Sequence, residues 1–396
     1  MRTNLKPFVR GRALLDGECQ RHAPAPRLGG RLNLMNIITM TCAAGLLGLA
    51  FNPVPARAAD PTNAPAAATP RGANGPAAGA RRGGQPATTE EIAELARLND
   101  LPAYGAGLGD GDYSVGPNYQ AAPEQTAREG VPHGKVINFT MDSADSKFYP
   151  GNNGGFQRAV TVYVPAQYVP GTPAPVIVSC DAYRAQNHQL PNILDNLIAA
   201  KRLPVMVAVM VMPGGPERSL EYDTVSGKYA EFVEAEVLPR AEKEAGVTIT
   251  KDPDARMTLG GSSGGAASFT MAWFHPEWYH RVVSYSGSFT MLQRGPAAPH
   301  GAWEYHENLI PQNPAKPLRV WLHVSAHDLG ATNSASGFRN WVIANQHMAA
   351  ALKDKSYHYQ LVYAKNAGHV DGTVIAQTLP EALEYAWQGC PISPAK

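Results

Sequence analysis

A serine hydroxyl becomes a useful nucleophile only beside a base that a carboxylate holds in place, and this chain carries all three groups in order. The serine lies in Leu259-Gly260-Gly261-Ser262-Ser263-Gly264-Gly265, between an apolar run from Ala255 to Leu259 and a small-residue stretch from Ala266 to Phe274. Strand, glycine-flanked serine, helix is the layout of a nucleophile elbow, a sharp turn that lifts a hydroxyl above the edge of a sheet. The glycines are needed because the serine backbone is strained and strand and helix pass too close for side chains. Gly-x-Ser-x-Gly alone is a modest signal, since glycine and serine also cluster in ordinary loops. Both Ser262 and Ser263 satisfy the pattern. Ser262 is favoured, because only two residues separate it from Leu259 and it alone has glycines at +2 and +3, where the helix must meet the sheet. Ser263 would then lend its backbone N–H to an oxyanion hole.

The hydroxyl needs a base within hydrogen-bond reach and an acid to orient that base. The best acid after Ser262 is Asp328, in Ser325-Ala326-His327-Asp328-Leu329-Gly330, and the best base is His369, in Asn366-Ala367-Gly368-His369-Val370-Asp371. Each follows an apolar strand and precedes a helical pattern. Asp371 could compete with Asp328, but two residues from His369 it reads as a helix N-cap. His323, His347 and His358 fall inside strand or helix patterns and His327 precedes a turn, so all four are read as supporting or neutral. A second oxyanion donor should come from Cys180-Asp181-Ala182-Tyr183, through the backbone of Asp181 or Ala182. In Arg218-Ser219-Leu220-Glu221-Tyr222, Arg218 either pairs with Glu221 or meets an anionic substrate group. The ion pair is the simpler reading, because partly buried arginines usually pair with carboxylates. Trp303, Tyr305 and Trp341 either stack on sugar rings or pack.

The elements that must position these groups alternate. Val136–Met141 and Arg158–Val164 alternate apolar with polar, as half-buried antiparallel strands do. Val176–Val178 and Val205–Met212 are continuously apolar, as strands covered on both faces are. Further strands are expected at Val282–Tyr285, Arg319–Ser325 and Tyr357–Tyr363. Helices are expected at Asn192–Ala200, Gly227–Glu244, Ala266–Phe274, Asn340–Lys353 and Val374–Trp387. Strand alternating with helix predicts a mainly parallel central sheet with antiparallel N-terminal strands and helices on both faces. Function in such sheets collects at the carboxyl ends of the strands. Serine, acid, histidine in this order is the arrangement of the α/β-hydrolase fold.

Upstream, residues 1–58 read as an export leader. Apolar Ile37 to Phe51 follows Arg27 and Arg31 and precedes Ala56-Arg57-Ala58, a small-x-small cleavage pattern. The run is too short to be a stable membrane span. Residues 59–111 are read as an Ala/Pro/Gly-rich linker ending in a short helix, Thr88–Leu98, where Thr88 and Glu91 have capping-box spacing and Ile92, Leu95 and Leu98 share a face. The hydrolase domain is expected over 112–396, beginning with an extended lead-in that runs to Val131. The leader holds eight Lys/Arg and two Asp/Glu, so a chain of formal charge +1 leaves a mature part near −5. That is an ordinary solubility charge, and nothing points to nucleic acid. Only Cys180 and Cys390 follow the leader. They are expected at opposite edges of the sheet, about 20 Å apart, too far for a disulfide. No cysteine–histidine metal spacing occurs, and no cofactor or metal is expected.

From about Asp112 onward the chain resembles the enterochelin-esterase-like, or esterase D-like, branch of the α/β-hydrolases. The resemblance rests on Val164-Pro165-Ala166-Gln167-Tyr168, Arg218–Tyr222, Gly260–Gly265, His327-Asp328, Asn340-Trp341, Gly368-His369 and Leu379-Pro380-Glu381-Ala382-Leu383. It implies Ser262 as nucleophile, with Asp328 and His369 as its partners. It also implies an exported, periplasmic or extracellular, serine carboxylesterase acting on a small-molecule or carbohydrate ester. Relatives include siderophore esterases, feruloyl and acetylxylan-type esterases, and mycolyltransferases. Relatives often carry Asp-Gly where this chain has Asp181-Ala182. An acyltransferase with the same three residues, or a non-catalytic binding domain of the same fold, are the alternatives.

Overall fold

The computed structural model describes residues 84–181 and 189–390. The leader, most of the linker, Ala182 and Tyr183 lie outside the described residues. Thr88 caps helix α1 (Thr89–Ala96): its hydroxyl accepts from the Glu91 N–H while the Glu91 carboxylate accepts from the Thr88 N–H. Glu91 also accepts from the Ser334 hydroxyl and the Ala335 N–H, which ties α1 to a distant loop. Leu95 and Leu98 pack inward. Ile92, expected on the same face, is exposed.

A strand the hydrophobic pattern did not reveal follows, β1 (Gly111–Val115). Its Gly-Asp-Tyr-Ser-Val has no apolar alternation, and pairing with the last strand rather than local preference holds it. The alternating segments form β2 (Lys135–Asp142) and β3 (Gln157–Val164), antiparallel with Lys135 opposite Val164. Next come β4 (Pro173–Ala174), β5 (Val176–Cys180), α2 (Leu190–Ala199), β6 (Val207–Val211) and α3 (Arg218–Tyr222). The expected single helix over Gly227–Glu244 is instead α4 (Lys228–Phe232), a π turn at Val233–Val237, and α5 (Leu238–Ala245). Pro239 accounts for the difference, since it lacks an N–H and its ring would strike the carbonyl four residues back. The chain continues through β7 (Thr248–Ile249), β8 (Arg256–Gly261), α6 (Ser263–Phe274), β9 (Arg281–Tyr285) and α7 (Ile310–Gln312). It ends with β10 (Arg319–His327), α8 (Trp341–Asp354), β11 (His358–Gly368) and α9 (Gly372–Trp387).

Nine strands form one sheet in the order β1-β11-β10-β9-β8-β5-β6-β3-β2, while β4 and β7 pair separately. Its neighbours are parallel from β1 to β6, and only the β2 and β3 pairings are antiparallel. The two faces are covered by different helices. Val176 and Val178 of β5 point with α6 and α8 into one core, and Ile177 points with α2 and α9 into the other. Parallel strands expose no face, which is why these segments are apolar throughout. This is the α/β-hydrolase architecture. Cys180 and Cys390 are free. Among the described residues no helix is long and apolar enough to cross a membrane.

The expected Arg218–Glu221 pair does not form. Glu221 instead turns inward to Arg158 of β3, whose Nη1 donates to Glu221 Oε2 at 2.9 Å and to the Met212 carbonyl at 2.7 Å. Both charges are almost wholly buried. One turn of helix carries residues three apart to the same face, but Glu221 finds a better-desolvated partner across the sheet edge. Removing one member of a buried pair leaves an uncompensated charge. Glu221→Ala should therefore lower stability by about 3–5 kcal/mol, seen as a fall in the denaturant midpoint. Arg218→Ala, at a half-exposed pair, should cost about 1 kcal/mol or less.

Candidate active site

The glycine-flanked turn joins β8 to α6, with Ser262 between them at φ +57°, ψ −127°. That is a strained conformation for a residue with a Cβ. It is fixed from both sides: the Ser262 N–H donates to the Tyr285 carbonyl at 2.9 Å, and the Ser262 carbonyl accepts from the Ser288 N–H at 3.0 Å. The glycines around it are sterically required. A Cβ on Gly260 would collide with the backbone of Gly264, and one on Gly265 would lie 2.7 Å from Ser284 Oγ. The strand runs two residues beyond Leu259, to Gly261. The two serines diverge at this turn. Ser262 faces a histidine, whereas Ser263 is the first residue of α6 and its hydroxyl engages Asp223.

Ser262 Oγ lies 2.8 Å from His369 Nε2, and His369 Nδ1 lies 2.6 Å from Asp328 Oδ1. With Nδ1–H donated to the carboxylate, Nε2 is left to accept the serine proton. Asp328 follows β10 and His369 follows β11, two adjacent strands that end on the elbow's edge of the sheet. Asp328 is held by three further donors: the Ser286 hydroxyl at 2.7 Å, the Leu329 N–H at 2.8 Å and the Ser325 N–H at 3.2 Å. Burial pushes the Asp328 carboxyl up. The bond and charge of His369, with the donations from Ser286 and Leu329, outweigh burial and hold it below its ordinary value. Asp371 caps α9, its side chain accepting from the Thr373 N–H. His323 is fully buried in β10, where burial lowers its pKa to about 4 and keeps it neutral.

The oxyanion side differs from the expectation. Asp181 has φ +66°, and its N–H donates to the Tyr222 hydroxyl at 2.9 Å, so it is not free to receive a substrate oxygen. Its carboxylate takes a fork from Arg218, Nε to Oδ1 at 2.9 Å and Nη2 to Oδ2 at 2.6 Å. Arg218 is thus paired with Asp181 across the site rather than with Glu221. Of the two backbone candidates Ala182 remains, outside the described residues. The Ser263 N–H belongs to the first turn of α6, where backbone donors have no intrahelical partner and the helix dipole favours negative charge.

Three side chains complete the site. Trp341, named from sequence for substrate contact, is buried. Its Nε1–H donates to Ser288 Oγ at 3.1 Å, and its ring meets His369 edge to face with centroids 6.1 Å apart. Ser288 Oγ in turn lies 3.4 Å from Ser262 Oγ. Ser286 and Ser288 were not singled out from the sequence. The available signal was Ser284-Tyr285-Ser286-Gly287-Ser288 at the carboxyl end of the strand beside the elbow strand. Trp303 and Tyr305 are buried among other rings.

A strained serine at a strand–helix turn, hydrogen-bonded to a histidine that an aspartate holds, defines an α/β-hydrolase. Residues 152–384 match the family model for esterases described as "Putative esterase". The chain belongs to this esterase family. It is similar in structure to an enterochelin esterase from Shigella flexneri, at 21% identity and TM-score 0.49, over 66% of this chain and 60% of that one. It is also similar to a ferulic acid esterase, at 18% identity and TM-score 0.49, over 64% of this chain and 98% of that one. A third is the ferulic acid esterase of the anaerobic fungus Anaeromyces mucronatus, at 14% identity and TM-score 0.48, over 68% of this chain and 98% of that one. The chain therefore spans about three fifths of the Shigella protein. A search of curated proteins finds no match.

The lowered Asp328 pKa has a pH consequence. A carboxylate depressed in the folded state contributes stability above its unfolded pKa of about 3.9 and loses it as pH falls through the folded value. Ser286→Ala removes one donor to that carboxylate, at a cost of about 1.5–3 kcal/mol near neutrality. The difference between wild type and variant should be constant above about pH 5 and shrink below about pH 4, measured by denaturant unfolding at each pH.

Proposed function

We propose that this protein is an exported serine carboxylesterase whose nucleophile is Ser262, general base His369 and orienting acid Asp328. What supports the reading is the pair of contacts at His369, 2.8 Å to Ser262 Oγ and 2.6 Å to Asp328 Oδ1. Ser262 Oγ adds to the ester carbonyl carbon as its proton passes to His369 Nε2. The Ser263 N–H, with Ala182 as second donor, stabilises the charge that develops on the carbonyl oxygen. The ester C–O bond then breaks, and the alcohol leaves with the proton from His369. Water, deprotonated by the same imidazole, releases the acid and restores the serine. Asp328 stays ionised throughout and stabilises the imidazolium. Export rests on the basic, apolar, small-x-small leader at 1–58, and the catalytic domain on 112–396.

For the substrate, the state of Arg218 favours one class. Its guanidinium is neutralised by Asp181, so it offers no free cation for an anionic iron-chelating ester. This leaves an acyl group linked to a carbohydrate as the substrate class to test first. The test compares kcat/KM on aryl acetates, feruloyl esters and acetylated sugars for wild type, Ser262→Ala and Ser263→Ala. Ser262→Ala should lose about 10⁴-fold or more in kcat. Ser263→Ala keeps its backbone donor and should stay within about tenfold. Turnover surviving in Ser262→Ala would contradict the reading.

A further inference from the structure

The excursion between β9 and β10 holds a cluster that the esterase chemistry does not use. His300 Nδ1 lies 3.0 Å from Glu304 Oε1 and 3.6 Å from Glu307 Oε2, and one donor atom from each residue falls within 4.8 Å of the others. Glu304 is buried, yet among the described residues its ion-pair partner and that of Glu307 is this single imidazole, with no lysine or arginine. A buried carboxylate beside a second carboxylate is stabilised by positive charge placed between them. The imidazole supplies no ordinary hydrogen bond either. Nδ1 is solvent-shielded and close to Glu304, but its geometry satisfies no hydrogen bond. The groups are also held in place. The His300 ring stacks on Phe338 at 4.0 Å, and the Glu304 carboxylate accepts from Asn308 Nδ2 and from the His300 N–H. Glu307 also lines a cavity of about 610 Å³ with Trp303, His306, Phe338 and His347.

We propose that His300, Glu304 and Glu307 bind a divalent first-row transition cation, with Zn²⁺ as the probe. One nitrogen and two carboxylate oxygens suit such a cation, and three protein ligands leave a position open to water. The cation would brace the excursion. It takes no part in the ester reaction, so His300→Gln and Glu307→Gln should retain wild-type esterase activity.

Full-length protein, untagged and stripped with chelator, is titrated with ZnCl₂ by calorimetry and with Co²⁺ by visible absorption. One equivalent should bind, with ligand-field bands for Co²⁺ and a raised Tm. His300→Gln and Glu307→Gln should each weaken binding about 10-fold or more and abolish the Tm rise. If the protein binds no metal at 100 µM, or both variants bind as tightly as wild type, the site is wrong. A variant that fails to fold is replaced by Glu307→Ala, at the more exposed ligand, and judged by the same two outcomes.

Discussion

The site depends on one backbone constraint, the left-handed φ of Ser262 between a strand and a helix that nearly touch. Holding a residue with a Cβ there costs roughly 1–3 kcal/mol. The turn persists because Ser262 is bonded through both its N–H and its carbonyl to the β9 edge and the loop beyond it. Gly260, Gly264 and Gly265 follow from the same constraint: Gly260 makes room for the close passage of β8 and α6, Gly264 lets α6 approach the end of β5 at Cys180 and Asp181, and Gly265 lets it approach β9 and the loop beyond. The result is a hydroxyl at the mouth of the sheet and the positive end of α6 beside it. Both come from one turn.

Around that turn the chain holds other groups in uncommon conformations. Asp181, Ser286 and Val370 also have positive φ, the last a β-branched residue immediately after His369. Ser286 links two of these points, donating to Asp328 and accepting from the Val370 N–H at 3.2 Å. Such strain survives only where surroundings over-determine it. The buried Arg158–Glu221 pair and the Asp181–Arg218 fork do this on the opposite side, anchoring α3 and the end of β5. Charge here serves position.

Much of this is legible in the amino-acid sequence. The elbow, the chain order of serine, acid and histidine, the parallel core strands and the Asp371 cap all follow from local spacing or apolar periodicity. The Gly111–Val115 strand did not, because five residues without alternation carry no period. Arg218 and Glu221 were misassigned to each other because partners for buried charge are chosen in three dimensions. Asp181 as oxyanion donor failed for a similar reason: the hydroxyl that captures its N–H comes from Tyr222, 41 positions along the chain. Ser286 and Ser288 sat in plain view, but a serine's role depends on what faces it. Local chemistry could be read, and cross-chain pairing could not.

The central claim is that Ser262, and not its neighbour, is the nucleophile. It is tested most directly by reacting the folded protein with a fluorophosphonate and locating the added mass by peptide sequencing. A single adduct on Ser262, absent when His369 is replaced by alanine, is the expected result. An adduct on Ser263, or none on either serine in folded protein that still cleaves esters, would contradict it.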